Sequence, residues 1–187
     1  MSEDLQSEAR TLEAMRSMIG RPMGPPSVAP DPVNQPMIRH WVAALEDHNP
    51  VYTDAAVAAA SRFGGIVAPP LMLQTWTMPT AKISGIAERG GAPTEGALNP
   101  LTPLDEAGFI ATLATNSEFE IVRYLRLGDV ITSTMVMESI SEQKQTRLGA
   151  GHFITWVTTY RDAQGAVVGR QTFRILKFKP DLEALLK

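Results

Sequence analysis

The sequence predicts an α+β fold, with helical segments first and a curved antiparallel sheet after them. Three observations carry this prediction. Helix-period patterns with proline and glycine breaks fill the first part of the chain. From Thr115 onward, runs of β-branched and aromatic residues are joined by short polar turns. Between them lies Leu71-Met72-Leu73-Gln74-Thr75-Trp76-Thr77-Met78, apolar almost all round, and such a segment is normally buried on most sides. A sheet curved around one helix gives that segment the concave apolar surface it needs.

Each element has its own signal. Leu5, Leu12, Met15 and Ile19 recur among charges and predict an amphipathic helix that docks on something else. Prolines 22, 25, 26, 30 and 32 then forbid regular helix, so the chain should run extended across the surface. Asn34 is a cap and Pro36 sits in the first turn of a helix carrying Met37, Ile38, Trp41, Val42 and Leu45. Pro50 is expected to stop it. Asp54 caps an alanine-rich helix, Ala55 to Ser61, and Gly64-Gly65 breaks it. The apolar segment follows and Pro79 ends it. Thr80 to Asp105 is rich in glycine and proline and reads as a long loop of the kind that forms lids. Leu104 to Leu113 is expected to be a short helix over that loop. Phe119 to Tyr124 alternates weakly. Val130–Ile140, Gly151–Asp162 and Val167–Phe178 are expected to be three strands of an antiparallel meander, with Asp162-Ala163-Gln164-Gly165 as a hairpin turn. In domain terms, 1–32 is a helix with a Pro-rich extension, 33–180 the main domain, and 181–187 the expected start of a linker to a further domain.

Composition excludes several functions. The chain has 187 residues, 44% hydrophobic and 20% charged, enough for one sizeable core. A net charge of −3 argues against a nucleic-acid partner, which would want a basic face. Zero cysteines remove disulfides, thiol nucleophiles and the common structural zinc sites, and fit a reducing cytoplasm. No apolar run approaches the roughly 20 residues of a membrane span, and MSEDLQSEAR lacks the pattern of a signal peptide. The three histidines, His40, His48 and His152, have no metal-ligand spacing.

Reactive side chains concentrate in the turn Glu46-Asp47-His48-Asn49-Pro50-Val51-Tyr52. Asp47 is either a reacting carboxylate or a residue bonding the turn backbone. Asn49 before proline suits a turn, and His48 reads as a solvated turn residue.

Three stretches together resemble the MaoC-like hydratases and dehydratases of the hot-dog fold. Asp47-His48-Asn49-Pro50-Val51-Tyr52 matches that family's Asp-x-Asn-Pro-(Ile/Val/Leu)-His motif except at the last position. Phe63-Gly64-Gly65-Ile66-Val67-Ala68-Pro69-Pro70-Leu71 resembles its hinge into the central helix, and Leu125-Arg126-Leu127-Gly128-Asp129-Val130 its turn before a sheet strand. The likeness runs from Val33 to Phe178 in consistent order. It implies a curved antiparallel sheet around a central helix and hydration of an α,β-unsaturated acyl-CoA, with no cofactor beyond the coenzyme A of the substrate. It implies a catalytic role for Asp47, and a substrate-binding role for Tyr52, Gly64, Gly65, Ala68, Pro69, Pro70, Leu71 and Trp76.

The departure at Tyr52 defines the expectation. An imidazole is a competent base near pH 7, whereas a tyrosine of ordinary pKa about 10 is not. The chain therefore resembles the dyad-deficient member of a heteromeric pair, whose partner hot-dog subunit carries the Asp/His dyad in a heterodimer or heterotetramer. Val33 to Ile38 and Pro69 to Met78 resemble the large subunit of the actinobacterial hydratase for steroid side-chain enoyl-CoAs. In that subunit a separate domain follows. A non-catalytic acyl-CoA-binding module and a homodimeric hydratase using Asp47 are the two alternative expectations.

Overall fold

Residues 3–78, 84–85 and 100–180 are described by the structure, a computed structural model. Most of the loop from Thr80 to Asp105, Pro79, and the tail 181–187 lie outside those residues. Six strands form one antiparallel sheet: β1 Ser27–Val28, β2 Ala111–Ile121, β3 Thr132–Ile140, β4 Lys144–Thr146, β5 Gly149–Arg161 and β6 Val167–Phe178. Their order is β1-β3-β5-β6-β2, with β4 paired to β5 off that path. The expected meander is the middle of the sheet, β3-β5-β6. Its second hairpin is closed by Asp162, whose Oδ1 accepts from the backbone N–H groups of Gln164 and Ala166, with Gly165 at φ +81°.

Two expectations about helices are corrected. The helix expected over Leu104 to Leu113 is only α4, Thr102–Glu106, and β2 begins at Ala111. Gly108, at φ +87°, ends α4 in a left-handed cap: its N–H donates to the Asp105 carbonyl and the Phe109 N–H to that of Leu104. Ala111 to Leu113 then pair with Leu176 to Phe178, which fixes them as strand. The helix α2, Gln35–Ala44, ends before Pro50 is reached. Glu46 adopts φ +53°, and the Glu46 and Asp47 N–H groups close back on the carbonyls of Ala43 and Val42. A Schellman cap therefore stops the helix, built on glutamate where glycine is usual.

The proline-rich segment is extended, as expected, and lies along β3. The N–H groups of Gly20, Met23 and Ala29 donate to the carbonyls of Met137, Met135 and Ile131. The helix α1, Glu3–Arg16, docks through Met15, which is fully buried.

Side chains pack in two clusters. One gathers Ile38, Val42, Tyr52, Val67, Met72, Leu73, Trp76, Ile131, Tyr160 and Val168 around the apolar segment. The other gathers Met15, Leu104, Phe109, Met137, Ile154 and Ile175. The apolar segment is a 3-10 helix, Pro70–Thr77, buried through Met72, Leu73 and Trp76. Burial on most sides was expected, yet Leu71 is 53% and Met78 60% exposed. A 3-10 helix repeats every three residues, so Leu73 and Trp76 share the face turned to the sheet. At Gly169 on β6 an added Cβ would stand 2.6 Å from Leu73 Cδ2, so helix and sheet touch where glycine leaves space. Among the described residues no helix is long and apolar enough to cross a membrane.

Candidate functional site

The reactive turn is held from both ends. Upstream, Asn34 Oδ1 accepts from the Met37 N–H at 3.0 Å and starts α2, which buries Ile38 and Val42. Those two side chains contribute about 3–6 kcal/mol, against roughly 1 kcal/mol for the cap. Burial thus anchors the helix and the cap sets its start. Downstream, Pro50–Tyr52 form a short 3-10 turn capped by Asn49, whose Oδ1 accepts from the Val51 N–H. Asp54 accepts from the N–H groups of Ala56 and Val57 to begin α3, Ala55–Ala60.

Within this frame Asp47 is half-buried and its Oδ1 accepts from the Asn49 N–H at 3.0 Å. This carboxylate braces the turn. His48 and Asn49 are exposed. Tyr52 points the other way, into the first cluster, at 7% exposure. Gln35 Nε2 donates to the Tyr52 carbonyl at 2.8 Å, tying the turn to the start of α2. The Tyr52 hydroxyl has no hydrogen-bond partner among the described residues. Burial pushes its pKa above the ordinary tyrosine value, and the charges of Tyr124 and Asp47 push it the same way. The phenol therefore keeps its proton at neutral pH, and Asp47 and Tyr52 are near enough to sense each other.

The hinge lies against the turn that follows β2. Val67 bridges to Arg126, and the Ala68 N–H donates to the Leu125 carbonyl at 2.9 Å. Phe63 packs on Tyr124 with ring centroids 4.7 Å apart, and Arg126 Nη2 donates to the Phe63 carbonyl at 2.7 Å. Gly64 has φ +66° and donates to the Ser61 carbonyl, while Pro69 and Pro70 have no N–H. Gly65 and Ile66 are among the hinge residues whose N–H groups have no partner among the described residues. Arg62, over the Phe63 ring, and Arg126 flank this strip, and neither guanidinium pairs with a carboxylate among the described residues, although the Arg126 backbone N–H donates to Asp129 Oδ2 at 2.8 Å.

A cavity of about 850 Å³ opens at the far end of the 3-10 helix. Gln74, Thr77 and Met78 form one wall, Met23, Gly24, Pro25 and Ser27 part of another, and the inward face of β3, β5 and β6 the floor. None of the residues expected to be catalytic or substrate-binding lines it. Trp76 in particular is buried in the first cluster at 3% exposure, with Nε1 unpartnered. Its floor residues Tyr160 and Gln171 went unremarked in the sequence. Their signal was alternation: Trp156, Thr158 and Tyr160 share one face of β5, opposite Phe173, Gln171 and Gly169. Burial pushes the Tyr160 phenol up to about 12. His152 stands apart, buried in the second cluster region, with Nδ1 3.0 Å from the Ser141 carbonyl. Among the described residues no group of His, Asp and Glu is placed to hold a metal ion.

Comparison with known proteins bears on the family and the fold. The family model described as FAS1-like, dehydratase domain region, matches residues 17–171. The chain is 45% identical over 168 residues to the "Probable enoyl-CoA hydratase alpha subunit" of Thermomonospora curvata, covering 89% of this chain and 51% of that protein. It is 42% identical over 160 residues to the 3-oxo-4,17-pregnadiene-20-carboxyl-CoA hydratase alpha subunit of Mycobacterium tuberculosis, covering 83% and 48%. The chain thus spans about half the length of the curated relatives it matches. A chain in the crystal structure of the ChsH1–ChsH2 complex from Mycobacterium tuberculosis superposes with a TM-score of 0.73 at 38% identity, over 95% of this chain and 92% of that one. With a matching family model over most of its length and the six-stranded hot-dog sheet, this chain belongs to the FAS1-like, MaoC-like dehydratase family.

Proposed function

We propose that this chain is the dyad-deficient subunit of a heteromeric enoyl-CoA hydratase, and that a partner hot-dog subunit supplies the Asp/His pair. The observation that carries the reading is Tyr52: a buried phenol of raised pKa occupies the motif position where the family has its histidine. The reaction adds water across the α,β-double bond of an acyl-CoA. A base takes a proton from water, hydroxide adds to the β-carbon, and a proton goes to the α-carbon. In this reading the partner moves those protons. This chain holds the substrate: the free N–H groups of Gly65 and Ile66 suit an oxyanion, Arg62 and Arg126 suit the phosphates of coenzyme A, and the cavity suits the acyl group. Its volume falls within the roughly 300–1,000 Å³ of sites for drug-sized ligands, which supports a bulky acyl group such as a steroid side-chain thioester. That the similar proteins from both organisms carry alpha-subunit names supports the heteromer. Asp47, already bonded to its own turn, is assigned a bracing role and Tyr52 a packing role at the site, within a cytoplasmic enzyme.

The test is hydration of a bulky enoyl-CoA by this chain alone and with a co-expressed hot-dog subunit bearing the Asp/His motif. Turnover in the mixture alone is the expected result. Full turnover by the single chain, abolished by Asp47→Asn, would establish the homodimeric hydratase instead. Tight binding without turnover in any pairing would leave a non-catalytic acyl-CoA module.

A further inference from the structure

The cavity floor is wide and chemically graded. It spans β3, β5 and β6, two interstrand spacings, or about 10 Å, and runs from Trp156 to Tyr160, about 14 Å along the strand. A single linear chain would leave most of that breadth empty, so a broad, flat ring system fits it better. Met23, Met135, Trp156 and Phe173 make one end apolar, while Ser133, Tyr160, Gln171 and Gln74 make the other polar.

The polar end is organised by a hydrogen-bond relay. The Tyr160 hydroxyl donates to Gln171 Oε1 at 3.1 Å, and Tyr160 and Gln171 are 3% and 8% exposed. With its carbonyl so engaged, Gln171 turns its Nε2 to Gln74 Oε1 at 2.8 Å and to Ser117 Oγ at 2.9 Å. Both Gln171 hydrogens are then committed. Gln74 has its carbonyl occupied, and its two Nε2 hydrogens have no partner among the described residues, in the wall of the cavity. An amide fixed at its oxygen and open at its nitrogen is a donor awaiting an acceptor.

Resting on the hydratase reading of this cavity, we infer that Gln74 Nε2 donates to a carbonyl oxygen carried on the ring system of the acyl group, remote from the thioester. Tyr160 and Gln171 are positioning residues: they set which end of the Gln74 amide faces the ligand. Apolar contact at the Trp156 and Phe173 end supplies affinity, and the Gln74 donor supplies direction. Ring systems bearing a ketone are thereby selected over hydrocarbon analogues of the same shape.

The experiment uses the assembled complex and two saturated polycyclic acyl-CoA thioesters, which cannot be hydrated. One carries a ring ketone and the other a methylene at the same position. Calorimetric titration is expected to favour the ketone about tenfold, the size of one neutral hydrogen bond. Gln74→Leu is expected to bring the ratio to within about twofold. Tyr160→Phe is expected to lower the ratio too, because it frees the Gln171 amide to turn over, while Trp156 quenching by both ligands persists. Equal affinities in the wild-type complex, or a ketone preference that survives Gln74→Leu, would overturn the inference. Hydration assayed alongside separates the two ideas. Turnover without a ketone preference sinks the Gln74 reading alone, and a ketone preference without turnover sinks the hydratase reading alone.

Discussion

Replacing Tyr52 with phenylalanine asks whether the residue at the motif's last position does chemistry. At pH 7 a phenol of ordinary pKa about 10 is about 0.1% ionised, and burial beside Tyr124 and Asp47 lowers that fraction further. As a base it would work through a vanishing minority of molecules. Phenylalanine keeps the buried ring and removes a hydroxyl that has no partner among the described residues. Stability should therefore change by no more than about 1 kcal/mol. In the assembled complex kcat/KM for a bulky enoyl-CoA should stay within about twofold. Loss of a working general acid or base costs about 10²–10⁴-fold, so the two outcomes stand well apart. The assay pairs steady-state hydration with a thermal melt. A hundredfold fall in kcat/KM at unchanged Tm would refute the reasoning and make Tyr52 a reacting group.

Two further predictions concern the frame. Arg123 bridges Asp129 at 2.7 Å and Asp162 at 2.9 Å, and its hydrogen bond, ahead of the Ala166 and Gln164 N–H groups, holds the Asp162 carboxyl below the ordinary range. A lowered carboxyl stabilises the fold above its unfolded pKa near 4 and ceases to as pH falls through the lowered value. The Tm gap between wild type and Arg123→Ala should thus be constant from about pH 5 to 8 and narrow in acid; a gap constant throughout would show the ion pairs contribute nothing. Gly169→Ala places a Cβ 2.8 Å from the Glu120 carbonyl as well as 2.6 Å from Leu73. The leucine can turn but the paired backbone cannot, so overpacking should cost about 1–3 kcal/mol, or roughly 2–12 °C in Tm. An unchanged melt would mean helix and sheet are less closely fitted than described.

The sheet was legible because its signals are local. Val167 to Phe178 is rich in β-branched and aromatic residues and follows a turn written in Asp162 and Gly165, and the strand matches the expectation end to end. The caps at Asn34 and Asp54 were legible for the same reason. The stop of α2 was not, because Glu46 adopts a left-handed conformation that its sequence does not advertise. Leu104 to Leu113 was expected to be helical, and pairing with β6 makes its end, Ala111 to Leu113, a strand. At the candidate site the turn and hinge were visible as motifs, whereas the cavity was not. It is assembled from Met23, Gln74, Tyr160 and Gln171, residues remote in sequence whose alignment depends on strand register.

The division of the core into two clusters bears on motion as well as stability. The cavity lies on their seam: Met23, Trp156 and Phe173 pack against one cluster, and Tyr160 belongs to the other. A guest seated there completes the contact between the two halves, so occupancy should slow exchange across both and raise the melting temperature with ligand concentration. The acyl group would then serve, while bound, as the missing middle of the hydrophobic core.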